Sequence, residues 1–147
     1  MFKTHGGDNK GKVFSCLLEN DNLILKRVDE QQIAKTLTFG VREVMEILSW
    51  LHGKFGSDWF ALGSKVDELD TDDGKSGLAI AILQVYPGDK LHAAGALYLG
   101  VILEKAGIVE WNQKNRGIQW RIVKEIHKPN ELKSLIQALI NGNLSRH

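Results

Sequence analysis

The sequence predicts an α+β fold in which several helices alternate with short antiparallel strands. Three observations lead to this fold class: apolar residues recur at helical spacing in some segments, other runs alternate and are rich in Ile, Val and Trp, and turn residues separate the two kinds of segment. The chain has 147 residues, of which 43% are apolar and 25% charged, so it is long enough to bury a core.

The N-terminal unit, residues 1–38, predicts a flexible leader and a short β arm. Residues 1–12 are polar and Gly-rich and do not resemble a secretory signal. Two strand-like runs, 12–18 and 23–28, flank the turn-forming tetrad Glu19-Asn20-Asp21-Asn22. Residues 29–37 leave an alternative open, in which a helix extends back over the second run.

Residues 39–125 predict the central domain. A first helix begins at Thr38 or Gly40 and ends at Gly53 or Gly56, because its apolar residues recur at helical spacing. A short apolar stretch (57–66), an acidic loop (67–74) and a second helix (75–86) follow, and Pro87-Gly88 stops that helix.

A third helix and a hairpin complete the central domain. Asp89 is placed to cap a helix that runs to Lys105, and Gly107 suits a left-handed C-terminal cap. Two alternating runs, 108–112 and 117–123, then predict a hairpin, in which Trp111 and Trp120 are expected to pair and pack.

The C-terminal unit, residues 126–147, predicts one amphipathic helix over residues 130–141. Its apolar residues follow the i, i+3, i+4, i+7, i+8 pattern of a single helical stripe. This stripe is a candidate dimer interface, and packing within the chain is the alternative. Its members are Leu132, Leu135, Ile136, Leu139 and Ile140.

The order helix, short stretch, helix, turn, helix, hairpin is typical of a winged helix-turn-helix. The string Leu103-Glu104-Lys105-Ala106-Gly107-Ile108-Val109-Glu110 resembles the junction between recognition helix and wing in MarR- and ArsR-type transcriptional regulators. Those families share a Leu-x-x-x-Gly-[Leu/Ile]-[Val/Ile] pattern. The resemblance covers roughly residues 75–123 and implies a winged helix that binds DNA.

The candidate DNA contacts lie on the third helix and on the wing. The resemblance places polar side chains of the third helix at base edges, and cations of the wing at phosphates, which give salt-dependent affinity. The helix candidates are Lys90, His92 and Tyr98, and the wing candidates are Lys114, Asn115, Arg116, Arg121 and Lys124. The expected partners are double-stranded DNA and a second copy of the chain.

The third helix departs from the pattern of a DNA reader, because residues 93–99 are almost entirely apolar apart from Tyr98. A helix that is apolar nearly all round is usually buried on most sides. The alternative function is therefore a winged helix for protein assembly, which contacts a protein partner through this helix or through the acidic loop. Exposure of Lys90, His92 and Tyr98 separates the two functions.

Charge is segregated along the chain. The net charge of +1 divides into +1 over residues 1–56, −5 over residues 57–89 and +5 over residues 90–147. A single cysteine, Cys16, excludes an internal disulfide and favours a reducing, cytoplasmic compartment. No apolar run approaches the roughly 18 residues of a membrane-spanning helix.

No motif in the sequence predicts an enzyme or a cofactor. Residues 6–13 match Gly-x4-Gly-Lys, but Val13 replaces the Ser or Thr that binds magnesium in a phosphate loop. Residues 70–74 resemble the start of a calcium loop, but the acids are wrongly spaced and Ala81 occupies the position of the required Glu. The five histidines show no metal-ligand spacing, so we expect neither a metal site nor catalysis.

Overall fold

Strands and helices alternate along residues 2–5, 12–28, 34–62, 77–114 and 117–144, which a computed structural model describes. The strands are β1 (Phe2–Lys3), β2 (Val13–Glu19), β3 (Asn22–Val28), β4 (Ala34–Gly40), β5 (Phe60–Ala61), β6 (Val109–Trp111) and β7 (Gln119–Ile122). The helices are α1 (Val41–Phe55), α2 (Leu78–Val85), α3 (Lys90–Ala94), α4 (Ala96–Lys105) and α5 (Pro129–Leu144). The mixed α+β class is confirmed.

The N-terminal strands form an antiparallel sheet in the order β1-β2-β3-β4. Alternation gives this sheet a buried face, on which Cys16 lies opposite Leu25 and Leu25 lies opposite Leu37. Asn20 makes the β2–β3 turn with a φ of 57°, a value that Asn tolerates. We call these four strands the N-terminal sheet.

Two N-terminal expectations need correction. Residues 2–4 are not part of a flexible leader, because Phe2 and Thr4 are buried and β1 pairs with β2. The segment from Ala34 to Gly40 is a strand rather than a backward extension of the helix. This strand pairs with β3, but its exposed residues Lys35 and Thr36 are polar, so the sequence shows no apolar run that would predict a strand here.

The second sheet has three strands in the order β5-β7-β6. The predicted hairpin is confirmed as β6 and β7, and Trp111 lies directly opposite Trp120. The short strand β5, which follows α1, pairs with the far side of β7 through Phe60 and Trp120. Trp120 is completely buried, so the expected packing role of this pair is confirmed.

Glycines and one acid set the helix boundaries. Helix α1 ends at Gly56, which has a φ of 60°, and α4 is followed by Gly107, which has a φ of 81°. The side chain of Asp89 accepts a hydrogen bond from the backbone N–H of His92 and caps α3 as predicted. The expected third helix is divided at Gly95 into α3 and α4.

Helix α5 packs within the chain, against α1 and β2. Leu132 and Ile136 are completely buried, and Leu135 and Leu139 pack against the same core as partly buried side chains. A 2.8 Å ion pair between Lys133 and Asp21 fixes the helix to the turn of the N-terminal sheet. The buried residues of all three predicted units belong to one hydrophobic cluster.

None of the helices in the described ranges combines the length and the apolar character that crossing a bilayer requires. The acidic loop, the phosphate-loop-like run 6–11 and the calcium-loop-like run 70–74 lie outside the described residues.

Candidate functional site

Helices α3 and α4 carry the three side chains that the sequence predicts to contact base edges, Lys90, His92 and Tyr98. Residues 86–89 connect α2 to α3, and Gly88 makes the turn with a φ of 73°. Lys90 is the first residue of α3 and is exposed. Lys90 is therefore accessible to a binding partner.

Unlike Lys90, His92 is only partly exposed, because its ring connects α3 to the N-terminal sheet. Its Nε2 lies 2.7 Å from the backbone oxygen of Thr38 in β4, and its Nδ1 lies 2.6 Å from Oδ2 of Asp89. A backbone oxygen only accepts, so Nε2 donates to Thr38. The ring also stacks on Tyr86 with centroids 4.1 Å apart and meets the edge of Phe39.

Two groups beside His92 have shifted pKa values, one because of a hydrogen bond and the other because of burial. The backbone N–H of His92, which donates to Asp89, is the largest cause that holds the pKa of Asp89 below its ordinary value. Burial raises the pKa of Tyr86, whose hydroxyl also accepts a hydrogen bond from the backbone N–H of Gly40. The start of α3 and the end of β4 are therefore connected by both polar and aromatic contacts.

Tyr98 also contacts the N-terminal sheet. Its ring meets Phe14 of β2 edge-on with centroids 5.0 Å apart, and the guanidinium of Arg27 lies 5.9 Å from its centroid. Between His92 and Tyr98, Gly95 approaches Leu37 so closely that an added Cβ would overlap the Leu37 side chain. The N-terminal sheet thus contacts three successive turns of the α3–α4 segment.

A third connection reaches the hairpin. The ring of His5, which follows β1, stacks on Trp111 with centroids 3.5 Å apart, and its Nε2 lies 2.7 Å from Oε1 of Glu104. The same carboxylate oxygen accepts a hydrogen bond from Nε1 of Trp120. Glu104 in α4 thereby joins the first strand of the chain to the wing-like hairpin.

These contacts correct the expected orientation of the third helix. Of its three predicted contact residues, Lys90 is exposed, whereas His92 and Tyr98 lie in an interface with the N-terminal sheet. The apolar run 93–99 gave a signal that this helix is covered. The partners of the helix lie 54 to 99 residues away in sequence, so no local pattern identifies them.

The described residues on either side of the hairpin tip form hydrogen bonds with one another. The side chain of Asn112 donates to the backbone oxygen of Gly117 and accepts from the backbone N–H of Lys114. Nε1 of Trp111 donates to the backbone oxygen of Lys114. The Lys114 side chain is exposed. The neighbouring candidates Asn115 and Arg116 lie outside the described residues.

The two remaining wing candidates differ from each other. Arg121 forms a 2.6 Å ion pair with Glu110 on the opposite strand, and its guanidinium lies 4.9 Å from the ring centroid of Trp59. Lys124 follows β7 and is exposed. Arg121 is thus neutralised within the hairpin, whereas Lys114 and Lys124 present charge to solvent.

The apolar stripe of the C-terminal helix is not a dimer interface. Leu132, Ile136 and Ile140 are buried within the chain, so they are not free to form a dimer interface. Leu135 and Leu139 contact the same core. Packing within the chain, the alternative to a dimer interface, is the role of this stripe.

The described residues contain no group of three or more His, Cys, Asp or Glu side chains that could hold a metal ion. Burial raises the pKa of the Cys16 thiol to about 12, so this thiol is protonated and unreactive at neutral pH.

A comparison with family models, curated proteins and solved structures found no match to this chain.

Proposed function

We propose that this chain is a winged-helix module that acts through contacts with other proteins and does not read base sequence through its helix-turn-helix. The order α1, β5, α2, α3–α4, β6, β7 supports the winged-helix assignment. The sheet order β5-β7-β6 supports it as well, because the first short strand then pairs with the second strand of the wing.

The observation that carries this proposal is the contact between the N-terminal sheet and the α3–α4 segment. In a helix-turn-helix protein the second helix presents its side chains to the major groove. Here His92 and Tyr98 of that helix are held by Thr38 and Phe14. A duplex would have to displace the sheet before either side chain could contact a base.

Exposed apolar side chains support a protein partner. Val13 and Leu17 lie four residues apart on β2 and are 51% and 40% exposed. They share the outer face of the N-terminal sheet, and Leu17 lies opposite the half-buried Ile24. We propose that this face contacts a second copy of the chain, which replaces the C-terminal stripe as the candidate dimer interface.

A DNA-binding transcriptional regulator is the second candidate. The exposed side chains of Lys90, Lys114 and Lys124 favour it, since they are free to contact phosphates without base recognition. Such binding would weaken steeply as the salt concentration rises.

Selection of duplexes from a randomised DNA library tests the proposal. We expect no sequence to be enriched, because His92 and Tyr98, two of the three residues that would read bases, are engaged by the sheet. Enrichment of a motif that is lost in His92→Ala or Tyr98→Ala, but retained in the exposed control Lys12→Gln, would contradict the module and support the regulator.

Sedimentation velocity over a range of protein concentrations tests the dimer. We expect association in the wild type and dissociation in the double variant Val13→Lys, Leu17→Lys. The matched control is Val123→Lys, a change at another exposed apolar residue, and it should associate normally. A wild type that remains monomeric at every concentration would overturn the dimer.

A further inference from the structure

A cavity of about 450 Å³ lies between the N-terminal sheet and the α3–α4 segment. This volume falls within the range of small-molecule pockets, roughly 300 to 1,000 Å³. No local pattern in the sequence indicates this cavity, since residues of three strands and two helices form it.

The floor of the cavity is apolar. Leu25 and Leu37, which lie opposite each other on β3 and β4, form its sheet side, and Tyr98 and Phe14 form its aromatic side. Leu91 of α3 stands at its edge and is 80% exposed, the largest exposed fraction among the large apolar side chains of the described residues. A hydrocarbon that covered Leu91 would remove this surface from water.

The other end of the cavity carries positive charge. Arg27 and Lys35 form the next cross-strand pair on the same face of the sheet, two residues beyond Leu25 and Leu37. The guanidinium of Arg27 points inward, since it lies over the ring of Tyr98. Among the described residues, no acidic side chain lines the cavity and no ion pair includes Arg27 or Lys35.

Two like charges directly opposite each other on one face of an antiparallel pair repel each other. An anionic group between Arg27 and Lys35 would convert this repulsion into two charge-assisted contacts. The apolar floor beside them selects a ligand with a hydrocarbon body.

We propose that this cavity binds a small organic anion, with its charged group between Arg27 and Lys35 and its hydrocarbon body against Leu25, Leu37 and Tyr98. The ligand class follows from the placement of charge at one end of the cavity and apolar surface at the other. The site is independent of the dimer face, because Val13 and Leu17 lie on the opposite side of the sheet.

A series of three probes with the same chain length tests this inference on the wild-type protein. Octanoate, 1-octanol and octylammonium share one hydrocarbon body and differ in charge. By isothermal titration calorimetry we expect octanoate to bind with a Kd of about 1 mM or lower. Octanol should bind at least about tenfold more weakly, and octylammonium should not bind. Equal binding of octanoate and octanol would overturn the proposed anion contact.

Amide chemical shifts locate the ligand. Octanoate should move the signals of Leu25, Leu37 and Gly95, which line the cavity, and leave those of α5 unchanged. Shifts confined to other parts of the chain would overturn the proposed site.

Matched variants separate charge from shape. Arg27→Gln and Lys35→Gln should each weaken octanoate binding by about five- to tenfold, whereas Lys12→Gln, an exposed cation outside the cavity, should have no effect. Ala94→Trp places a large ring at the lining and should abolish binding of both octanoate and octanol. Full binding in Ala94→Trp would show that the cavity is not the site.

Discussion

Helix α4 is contacted on two opposite faces, and the two contacts differ in chemistry. Towards the hairpin, Gly100 lies against the completely buried ring of Trp120. Towards the N-terminal sheet, Tyr98 contacts Phe14 and Arg27, and the preceding helix adds the hydrogen bond of His92. The hairpin side depends on close apolar packing, whereas the sheet side combines aromatic rings, charges and a titratable histidine.

The difference shows how one helix can pack on the core through one face while a second element covers the other face. The packing of α4 on Trp120 holds the helix against the hairpin. The opposite face of α4 is covered by the N-terminal sheet. Any function that needs this face must compete with contacts inside the chain.

The largest effect is expected from Phe14→Ala, which removes the ring between the sheet and Tyr98. Loss of a buried Phe side chain costs about 3 to 5 kcal/mol of the free energy of unfolding. The control Val123→Ala, at an exposed apolar position outside the N-terminal sheet, should cost no more than about 0.5 kcal/mol. Urea unfolding measures both, and equal losses in the two variants would show that the sheet does not pack on α4.

On the other side of α4, Gly100→Ala should destabilise the chain by about 1 to 3 kcal/mol through overpacking. An added Cβ would lie 2.6 Å from the rigid ring of Trp120. Gly53→Ala in α1 is the matched control, since nothing lies within 4 Å of its added Cβ and the better helix propensity should stabilise the chain slightly. Thermal unfolding compares them; a stabilised Gly100→Ala variant would contradict the close approach.

A smaller effect is expected at the cap of α3. Asp89→Ala should cost about 1 kcal/mol of the free energy of unfolding, because the side chain no longer accepts from the N–H of His92. Asp89→Asn retains an acceptor and should cost less at neutral pH.

The pH dependence of this cap has a definite sign. The pKa of Asp89 is lower in the folded chain than its ordinary value of about 4. Its charge therefore stabilises the fold above pH 4, and this contribution is lost as the pH falls through the lowered pKa. The difference between wild type and Asp89→Asn should vanish in acid; a difference that grows below pH 4 would contradict the assignment.

The smallest effect is expected on the hairpin surface. Arg121→Gln and Glu110→Gln, combined in a double-mutant cycle, should show a coupling free energy of about 0.2 to 1 kcal/mol, as is usual for exposed ion pairs. A coupling free energy larger than the destabilisation by Asp89→Ala would show that the hairpin surface contributes more to stability than the cap of α3.

Local patterns predicted the hairpin, the cap of α3 and the C-terminal helix, because each depends on residues a few positions apart. Asp89 and His92 are separated by three residues, and the stripe from Leu132 to Ile140 is visible in the sequence. These elements needed no knowledge of the rest of the chain.

The strand β4, the cover on α3–α4 and the anion cavity could not be predicted in this way. Thr38 and His92 are 54 residues apart, and His5 and Glu104 are 99 residues apart. Arg27 and Lys35 become neighbours only once the register of β3 and β4 is known. The contacts of His92 and Tyr98 with the N-terminal sheet could not be predicted for the same reason, since their partners are remote in sequence.

The most direct test of the contact between the N-terminal sheet and the α3–α4 segment is an NMR experiment on the full chain, alone and with excess duplex DNA. Nuclear Overhauser effects should connect the methyl groups of Leu37 to the α-protons of Gly95, and the ring of Phe14 to that of Tyr98. We predict that these signals are present in the free chain and unchanged by DNA. Their absence from the free chain, or their loss when DNA is added, would contradict the account.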